Sequence, residues 1–288
     1  MYKKNVIWLA SYPKSGNTWF RVFITNLLSN SDAPANINDL SETSISSSRK
    51  VFDDYTGLSS SDLSFEEIDK LRPEVYRMQS EESSELLFKK VHDKFYFVAE
   101  NQPLFPPEIS KGVIYLIRNP LDVIVSFAYH SSRPVNKMIS ALNNPEYAFC
   151  DKNDKLQNQL RQILGSWSGH VQSWTEQKLI PVHVIRYEDM INNTFESFSK
   201  AIRFLSIEKT DQQIRDAIQK SDFRILSGQE KISGFKEKMI QSKSFFRKGK
   251  IGDWRNHLDK EIQDKIIENH KDAMIKFGYL TSESKLIY

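Results

Sequence analysis

The feature that most constrains the fold is an apolar run near the amino terminus that leads through a short loop into a helical pattern. Val6-Ile7-Trp8-Leu9-Ala10 is almost wholly apolar, as is typical of a strand buried on both faces of a parallel sheet. The run ends at a loop that contains Pro13 and Gly16. From Asn17, apolar residues recur with helical spacing as far as Leu28. This strand–loop–helix unit predicts an α/β fold.

A second unit of the same kind begins near the middle of the chain. The stretch 112–117 is apolar apart from its first residue, and it breaks at Arg118-Asn119-Pro120. Apolar residues with helical spacing then continue to Ala128, and Pro120 suits the first turn of that helix, where a missing N–H costs nothing. The repeated order of strand, loop and helix favours a parallel sheet.

The rest of the chain supplies two more strand candidates, 85–92 and 181–187, and helical spacing near 156–176, 194–205, 210–220 and 260–277. We therefore predict one domain over residues 1–288. Its predicted architecture is a three-layer α/β sandwich with a central parallel sheet and a P-loop-like phosphate-binding loop. Ligands of such sheets bind beyond the carboxyl ends of the strands.

Three polar segments are expected to lack regular core structure: 31–64, 131–154 and 226–244. The first is rich in serine, aspartate and asparagine, which favours a loop or a short irregular helix. Long loops in compact domains are commonly functional. We therefore expect these segments to wall a pocket for a second substrate.

Composition limits the partners of the chain. Forty Lys and Arg against 37 Asp and Glu give a formal charge of +3, too small to predict binding to nucleic acid or to an anionic membrane. The only cysteine, Cys150, rules out a disulfide within the chain and fits a reducing compartment. The apolar run after residue 5 is too short for a signal peptide, and no run approaches the length of a membrane span. We expect a cytoplasmic protein.

The loop between the first strand and helix has the composition of a phosphate cradle. A helix N-terminus presents unpaired N–H groups and the positive end of a dipole, and Lys14 adds a full charge. Gly16 allows the backbone to approach a phosphate closely. Hydroxyl and amide groups from Ser15, Asn17 and Thr18 surround the same helix start. The same residues also fit a helix-capping turn with one solvated lysine.

Two further basic sites carry the same ambiguity. Arg118 follows a strand and can place a guanidinium fork on a phosphate, with the Ser126 hydroxyl about two helical turns further on. Alternatively, Arg118 forms a structural ion pair with Asp122. Arg247-Lys248-Gly249 joins two cations to a permissive glycine, which suits a phosphate but also suits a solvated loop.

Three blocks resemble those of sulfotransferases that use 3′-phosphoadenosine 5′-phosphosulfate (PAPS). Residues 12–19, Tyr-Pro-Lys-Ser-Gly-Asn-Thr-Trp, resemble the family's 5′-phosphosulfate loop, and residues 118–126 resemble its 3′-phosphate segment. Residues 247–256 resemble its C-terminal Arg-Lys-Gly-x-x-Gly-Asp-Trp signature. The blocks occur in the family's order. The resemblance implies a soluble, cytosolic-type enzyme that sulfates small molecules, with a bacterial source expected.

The resemblance also implies roles for single residues. Lys14 would stabilise the leaving 5′-phosphate, Lys90 the transferring group, and His92, in the family's Lys-x-His pattern, would be the general base. The donor, with PAP as its product, would contact Lys14, Ser15, Gly16, Asn17 and Thr18 at its 5′ end. At its 3′ end and around adenine, it would contact Trp19, Arg118, Ser126, Tyr187, Ser221, Phe223, Arg247, Lys248 and Gly249. No metal is required in this scheme, and the sequence shows no cluster of metal ligands.

Two points depart from the family or remain open. The family's dimer motif is not matched after the Gly-Asp-Trp block, so either a monomer or a homodimer is expected. The polar loops favour a small polar or cationic acceptor. The alternatives to a sulfotransferase are a nucleotide kinase or triphosphatase that uses the first loop, and a non-enzymatic module that binds anions or polysaccharides.

Overall fold

The computed structural model describes residues 2–29, 31–152 and 154–288, in which strands and helices alternate along the chain. The strands are β1 Val6–Ser11, β2 Thr43–Ile45, β3 Leu87–Val91, β4 Phe97–Ala99, β5 Gln102–Pro103, β6 Ser110–Ile117, β7 Ala148–Phe149, β8 Gln162–Ile163 and β9 Val182–Arg186. The helices are α1 Asn17–Leu28, α2 Arg49–Thr56, α3 Phe65–Glu82, α4 Pro120–Ser131, α5 Val135–Asn143, α6 Trp167–Glu176, α7 Tyr187–Asn192, α8 Thr194–Phe204, α9 Asp211–Lys220, α10 Phe223–Ser233 and α11 Lys260–Lys276. Short 3₁₀ turns cover Ser60–Asp62 and Asp253–Asn256.

The described residues form two compact units, each assembled from separate stretches of chain. The first takes its described residues from Met1–Tyr12, Thr43–Tyr115 and Pro145–Val184. The second takes its described residues from Pro13–Glu42, Leu116–Asn144 and Ile185–Tyr288. The chain thus leaves the first unit at or near the carboxyl ends of β1, β6 and β9. The prediction of one domain over 1–288 stays a prediction.

The sheet has five strands in the order β2-β3-β1-β6-β9. In the first unit, β1 and β2 both run parallel to β3, with Ala10 opposite Val91 and Ile45 opposite Lys90. Every residue of β1 is buried, which explains its unbroken apolar sequence. The predicted α/β fold with a central parallel sheet is confirmed.

The main strands and several helices fall where the sequence places them. The predicted strands correspond to β1, β3, β6 and β9, and Pro120 is the first residue of α4. Helical spacing also located α1, α8, α9 and α11 to within a few residues.

Other expectations were wrong. Residues 156–166 are not helical, because this stretch contains β8 and α6 begins only at Trp167. The segment 31–64 contains strand β2 and the regular helix α2, and 131–154 contains helix α5. The first part of 226–244 belongs to α10. These short elements carry mixed polar sequence, so local composition alone misread them as loops.

The second unit has its own aromatic core. Phe20 and Phe23 of α1 pack against Phe198 of α8, with ring centroids 5.3 Å and 4.3 Å apart. A neighbouring cluster joins Val22, on α1, to Leu226 of α10 and to Phe235. The helix that starts at the candidate phosphate loop is therefore fixed by packing along its length. Among residues 2–29, 31–152 and 154–288, no helix is long and apolar enough to cross a bilayer.

Candidate active site

The loop before α1 has the backbone geometry of an anion cradle. Lys14 has a φ of 70° and Gly16 a φ of 97°, so two nearby residues lie in the left-handed region. A left-handed conformation is costly for lysine, and such strain concentrates at ligand-binding loops. Gly16 is also required sterically, because a Cβ there would lie 2.9 Å from Cδ2 of Tyr187. The loop conformation therefore combines a strained lysine with a glycine position that has no room for a side chain.

The amino terminus of α1 has no side-chain cap. Gly16 occupies the cap position, and the first turn contains no acidic residue. The buried hydroxyl of Ser15 finds no hydrogen-bond partner among the described residues. Asn17 and Thr18 are buried in the same turn. A buried hydroxyl without a protein partner beside uncapped N–H groups fits a bound phosphate.

Lys14 lies against an aromatic ring. Its Nζ is 3.9 Å from the ring centroid of Phe245, close enough for a cation–π interaction. The Phe245 segment is in turn held by Glu230 of α10, which accepts hydrogen bonds from the backbone N–H groups of Phe245 and Phe246 at 2.6 Å and 2.9 Å. The lysine of the loop is thus positioned by a segment more than 200 residues further along the chain.

Arg118 joins the loop to the C-terminal basic segment. Its guanidinium donates to the carbonyl of Lys14 at 3.3 Å and to the carbonyl of Lys250 at 3.0 Å. It also lies over the ring of Tyr187, with Cζ 4.2 Å from the centroid. The side chain is buried, and its Nε finds no partner among the described residues. Arg118 therefore connects the two cationic segments and keeps one donor for another group.

Asp122 does more than pair with Arg118. The two charged groups are 3.7 Å apart, a long ion pair. The carboxylate of Asp122 accepts much shorter bonds from the backbone N–H groups of Gly252 and Trp254, at 2.8 Å and 3.1 Å. Asp122 is buried, and these two bonds satisfy one oxygen each of its carboxylate. The sequence suggested the ion pair but not this anchoring role.

The basic pair of the C-terminal segment is gathered by one carboxylate. Lys248 donates to Asp253 at 2.6 Å, and Arg247 donates to the same side chain. His257 Nε2 lies 3.3 Å from Asp253. Burial alone would raise the pKa of Asp253, but the hydrogen bonds from Lys248 and Arg247 hold it well below its usual range. Asp253 is ionised at neutral pH and holds both cations in place.

Gly249 makes close packing possible in the same segment. Its φ is 60°, and a Cβ there would lie only 2.7 Å from Cδ2 of Phe223, the first residue of α10. Phe223 is half-buried and also contacts Phe246, with ring centroids 6.4 Å apart. Only glycine allows the basic segment to pass over this ring.

The other residues assigned to the adenosine moiety lie in the second unit with different environments. Trp19 is half-buried and makes edge contacts with Tyr187 and Phe198 at 6.4 Å and 5.5 Å. The Ser221 hydroxyl is buried, donates to the Ala217 carbonyl at 2.7 Å and accepts from Asn26 at 3.1 Å. In this arrangement its only proton is used within the fold. Ser126 is half-buried on α4.

The predicted catalytic residues Lys90 and His92 lie in the first unit, at the end of β3. Strand alternation places Lys89 on the opposite face from Lys90. Lys89 is buried, and its Nζ donates to Ser44 at 3.0 Å. Burial lowers the pKa of Lys89 to about 8. The two adjacent lysines therefore differ in surroundings, and only Lys90 shares a face with His92.

Hydrogen bonding fixes the proton on the His92 ring. Its Nδ1 lies 2.9 Å from the carbonyl oxygen of Ser11, the last residue of β1, and 3.4 Å from the Ser11 hydroxyl. Because a carbonyl oxygen only accepts, the neutral ring donates from Nδ1 and carries its lone pair on Nε2. Nε2 is then the nitrogen suited to take up a proton.

The second unit brings together most of the predicted donor-binding residues: Lys14 to Trp19, Arg118, Tyr187, Phe223 and Arg247 to Gly249. Sequence reasoning missed the acidic residues that organise them, Asp122, Glu230 and Asp253, and the aromatic partner of Lys14, Phe245. Asp253 belongs to the Gly-Asp-Trp block, so a signal was present there. Glu230 gave no local signal, because its partners lie 15 and 16 residues away in a segment without regular secondary structure.

Within the described part of the chain, no group of three or more His, Cys, Asp or Glu side chains is arranged to hold a metal ion.

A family model, curated relatives and a solved structure all match nearly the whole chain to sulfotransferases. The family model described as the sulfotransferase domain matches residues 4–278. Sulfotransferase 1E1 of Bos taurus is 27% identical over 285 residues, which cover 96% of this chain and 86% of the relative. Cytosolic sulfotransferase 1 of Arabidopsis thaliana is 27% identical over 274 residues, covering 90% of this chain and 75% of the relative. The crystal structure of mouse sulfotransferase SULT7A1 complexed with PAP has the same fold, with a TM-score of 0.59, 20% identity, and coverage of 94% of this chain and 85% of that one.

Proposed function

This chain belongs to the sulfotransferase family, and we propose that it transfers a sulfuryl group from PAPS to a hydroxyl or amine of a small-molecule acceptor, releasing PAP. The observation that carries the proposal is the position of Arg118. Its guanidinium bonds the backbone of both the Lys14 loop and the Lys250 segment, so two cationic segments are joined in one unit. A donor with phosphate groups at both ends of its nucleoside requires two such segments.

The residues present fit this donor. PAPS supplies a sulfuryl group attached to a phosphate leaving group, and it carries a second phosphate on the 3′ position. The uncapped start of α1 and the unpartnered Ser15 hydroxyl suit the 5′ end. The unpartnered Nε of Arg118, together with Arg247 and Lys248, suits the 3′-phosphate. A nucleoside triphosphate would use only the first of these sites.

The adenine ring would lie among aromatic side chains. Trp19, Tyr187 and Phe223 are the candidates, and each is at least partly buried within the second unit. Gly249 allows Phe223 to approach the basic segment, which would hold the ring near the 3′ side of the donor. The role of Ser221 would be to join α9 to α1 through Asn26 rather than to donate to the phosphate.

Catalysis would rest on positioning and on charge stabilisation. His92 would accept the proton of the attacking hydroxyl or amine at Nε2, while its Nδ1–H stays bonded to Ser11 and stabilises the imidazolium that forms. Lys14 would stabilise negative charge on the leaving 5′-phosphate, and Lys90 would stabilise charge on the group in transfer. The scheme uses no metal ion.

The acceptor class, the cellular location and the oligomeric state are also part of the proposal. We propose a small polar or cationic acceptor, because the segments 31–64, 131–154 and 226–244 are rich in polar side chains. A cytoplasmic location is supported by the single cysteine and by the name of the Arabidopsis relative. The chain would act as a monomer or a homodimer, since the family's dimer motif is replaced by other residues after Trp254.

The test is transfer of a radiolabelled sulfuryl group from PAPS to a panel of phenols, alcohols and amines. His92→Ala should lower turnover by about 10²- to 10⁴-fold, the usual contribution of a general base. Its dissociation constant for PAP, measured by calorimetry, should stay close to that of the unchanged protein. His183→Ala, in strand β9, is the matched control and should keep normal turnover.

Two results would contradict the proposal. Near-normal turnover of His92→Ala would remove the assigned base. Transfer to lipids or polysaccharides but to none of the small acceptors would overturn the proposed substrate class.

A further inference from the structure

One face of α6 is bonded to the backbone that follows the proposed base. Nε2 of His170 bonds the carbonyl of His92 at 3.1 Å, and Nε1 of Trp174 donates to the carbonyl of Asp93 at 2.9 Å. The Ser173 hydroxyl accepts from the N–H of Phe95 at 3.0 Å. Side chains three and four residues apart lie on the same side of a helix. α6 therefore holds the chain immediately after β3 at three successive points.

The same segment is fixed from its other side. Arg72 of α3 binds the Asp93 carboxylate through two nitrogens, at 2.7 Å and 3.2 Å, and both side chains are fully buried. Asp93 also accepts from the N–H of Ile163 at 3.1 Å. These bonds fix Asp93. His170, in contrast, bonds the backbone of His92 itself.

The protons on this contact can be assigned. His170 is fully buried, and burial lowers its pKa to about 3, so the ring is neutral at working pH. Its Nε2 must donate, because the His92 carbonyl can only accept. Its Nδ1 must then accept, and the Tyr115 hydroxyl lies 2.8 Å from it. Burial raises the pKa of Tyr115 well above its usual value, so this hydroxyl stays protonated.

The result is a directional chain in which Tyr115 donates to His170 and His170 donates to His92. Tyr115 lies in β6, and Tyr12 packs on His170 edge-on with ring centroids 5.5 Å apart. A neutral imidazole whose proton is fixed on one nitrogen gives a hydrogen bond that does not change over the pH range in which an ordinary histidine titrates. Such a bond would keep the backbone of His92 in place while the His92 ring gains and loses a proton in each catalytic cycle.

We propose that His170, oriented by Tyr115, is a positioning residue for His92. The His170 ring donates a hydrogen bond to the His92 carbonyl. This bond fixes the backbone that orients the His92 imidazole, and the imidazole therefore keeps its hydrogen bond from Nδ1 to the Ser11 carbonyl. This proposal rests on the proposed role of His92 as base, but its geometric part does not depend on sulfuryl transfer. A misplacement of about 1 Å in a reacting group can lower a rate by about 100-fold.

The first test compares variants in steady-state transfer. His170→Leu should lower kcat by about 10- to 100-fold, with the acceptor KM and the PAP dissociation constant nearly unchanged. His170→Gln keeps a donor near the position of Nε2 and should recover part of kcat. Tyr115→Phe should lower kcat by less. It removes the hydroxyl that holds His170 in one tautomer but leaves the His170 ring in place.

Val171→Ala is the matched control for stability. Val171 is fully buried in α6 next to His170 but makes no bond to residues 92–95 in the described chain. The cavity should lower Tm while kcat stays within about two-fold, since its effect is on packing. If His170→Leu and His170→Gln keep kcat as well as Val171→Ala does at a comparable Tm, the positioning role is wrong.

A second measurement is independent of turnover. Nitrogen-15 shifts of the histidine rings should show the neutral form of His92 as a single tautomer protonated on Nδ1. The His170 ring should stay neutral and protonated on Nε2 from pH 5 to pH 9, a range chosen to span the ordinary pKa of about 6.5. In His170→Leu, the His92 signal should become a mixture of tautomers. An unchanged His92 tautomer in that variant would overturn the proposal even if the protein sulfates nothing, whereas absent transfer with these shifts as expected would count only against the proposed function.

Discussion

At the residue scale, the proposed donor site contains backbone conformations that side chains resist. Lys14 adopts a φ of 70°, although only glycine adopts this region without cost. The strain persists because neighbouring contacts hold the loop on both sides: Arg118 on the Lys14 carbonyl and Phe245 on its ammonium group. A loop held in this way is ready to receive an anion without first becoming ordered.

Gly249 provides a test of this reasoning. Gly249→Ala should weaken PAP binding by at least about ten-fold, equivalent to about 1.4 kcal/mol, because the added Cβ would displace either the basic segment or Phe223. Calorimetry with PAP measures the effect. Gly57→Ala is the matched control, since Gly57 has a similar φ of 66° but no atom within 4 Å of the added Cβ.

Both variants carry the strain of a left-handed alanine, about 1–2 kcal/mol of stability. Only the Gly249 variant should lose PAP affinity. Equal affinities in the two variants would show that Phe223 and the basic segment do not act together on the donor.

The sequence pointed to single candidate residues where the signal was local. Arg118 directly follows a strand, and Lys14 and Arg247 each lie two residues before a glycine, so chain position alone made them anion-binding candidates. The acids that organise them could not be assigned in this way. Asp122 has its backbone partners about 130 residues away, and its neighbour Arg118 suggested a simpler ion pair.

At the element scale, long apolar runs marked the elements that were easiest to predict. Strands β1 and β6 and helix α1 are strongly apolar and were predicted. Strand β2 has three residues, Thr43–Ile45, and it exists because it pairs with β3, a contact that local sequence does not contain. Helix α3 was missed although it begins with a capping box between Ser64 and Glu67, a signal readable in the sequence.

Helix α4 illustrates how an element serves the site. It presents Asp122 in its first turn, and this carboxylate accepts from two backbone N–H groups of the 252–254 turn. Asp122→Asn should lower the free energy of unfolding by about 1–3 kcal/mol, because an amide cannot accept both bonds and leaves a buried donor unsatisfied. It should also weaken PAP binding, because this turn directly follows the basic segment along the chain.

The control for Asp122→Asn is Asp264→Asn. Asp264 is exposed on α11 and pairs with Lys260 at 2.5 Å, a surface ion pair worth no more than about 1 kcal/mol. Urea unfolding and PAP calorimetry on both variants measure the difference. If Asp122→Asn behaves like Asp264→Asn in both measurements, the turn does not depend on α4.

At the scale of the whole molecule, the predicted α/β fold was recoverable because strands β1 and β6 are buried on both faces and therefore have almost wholly apolar sequences. The division into two compact units was not foreseen, because each unit is assembled from three separate stretches of chain. The proposed base, at the end of β3, lies in the first unit, and the proposed donor-binding residues lie in the second. The proposed function assigns chemistry to both.

The central claim is that the molecule recognises a nucleotide through phosphates at its 5′ and 3′ positions. The most direct measurement is the thermal and calorimetric response to PAP, 5′-AMP, adenosine 5′-phosphosulfate and ATP, with EDTA or with Mg²⁺. We predict that PAP binds in EDTA and stabilises the fold by about 2.7 kcal/mol at one hundred times its Kd, with much weaker binding of the three nucleotides that lack a 3′-phosphate. Stabilisation only by ATP with Mg²⁺, and none by PAP, would contradict the account.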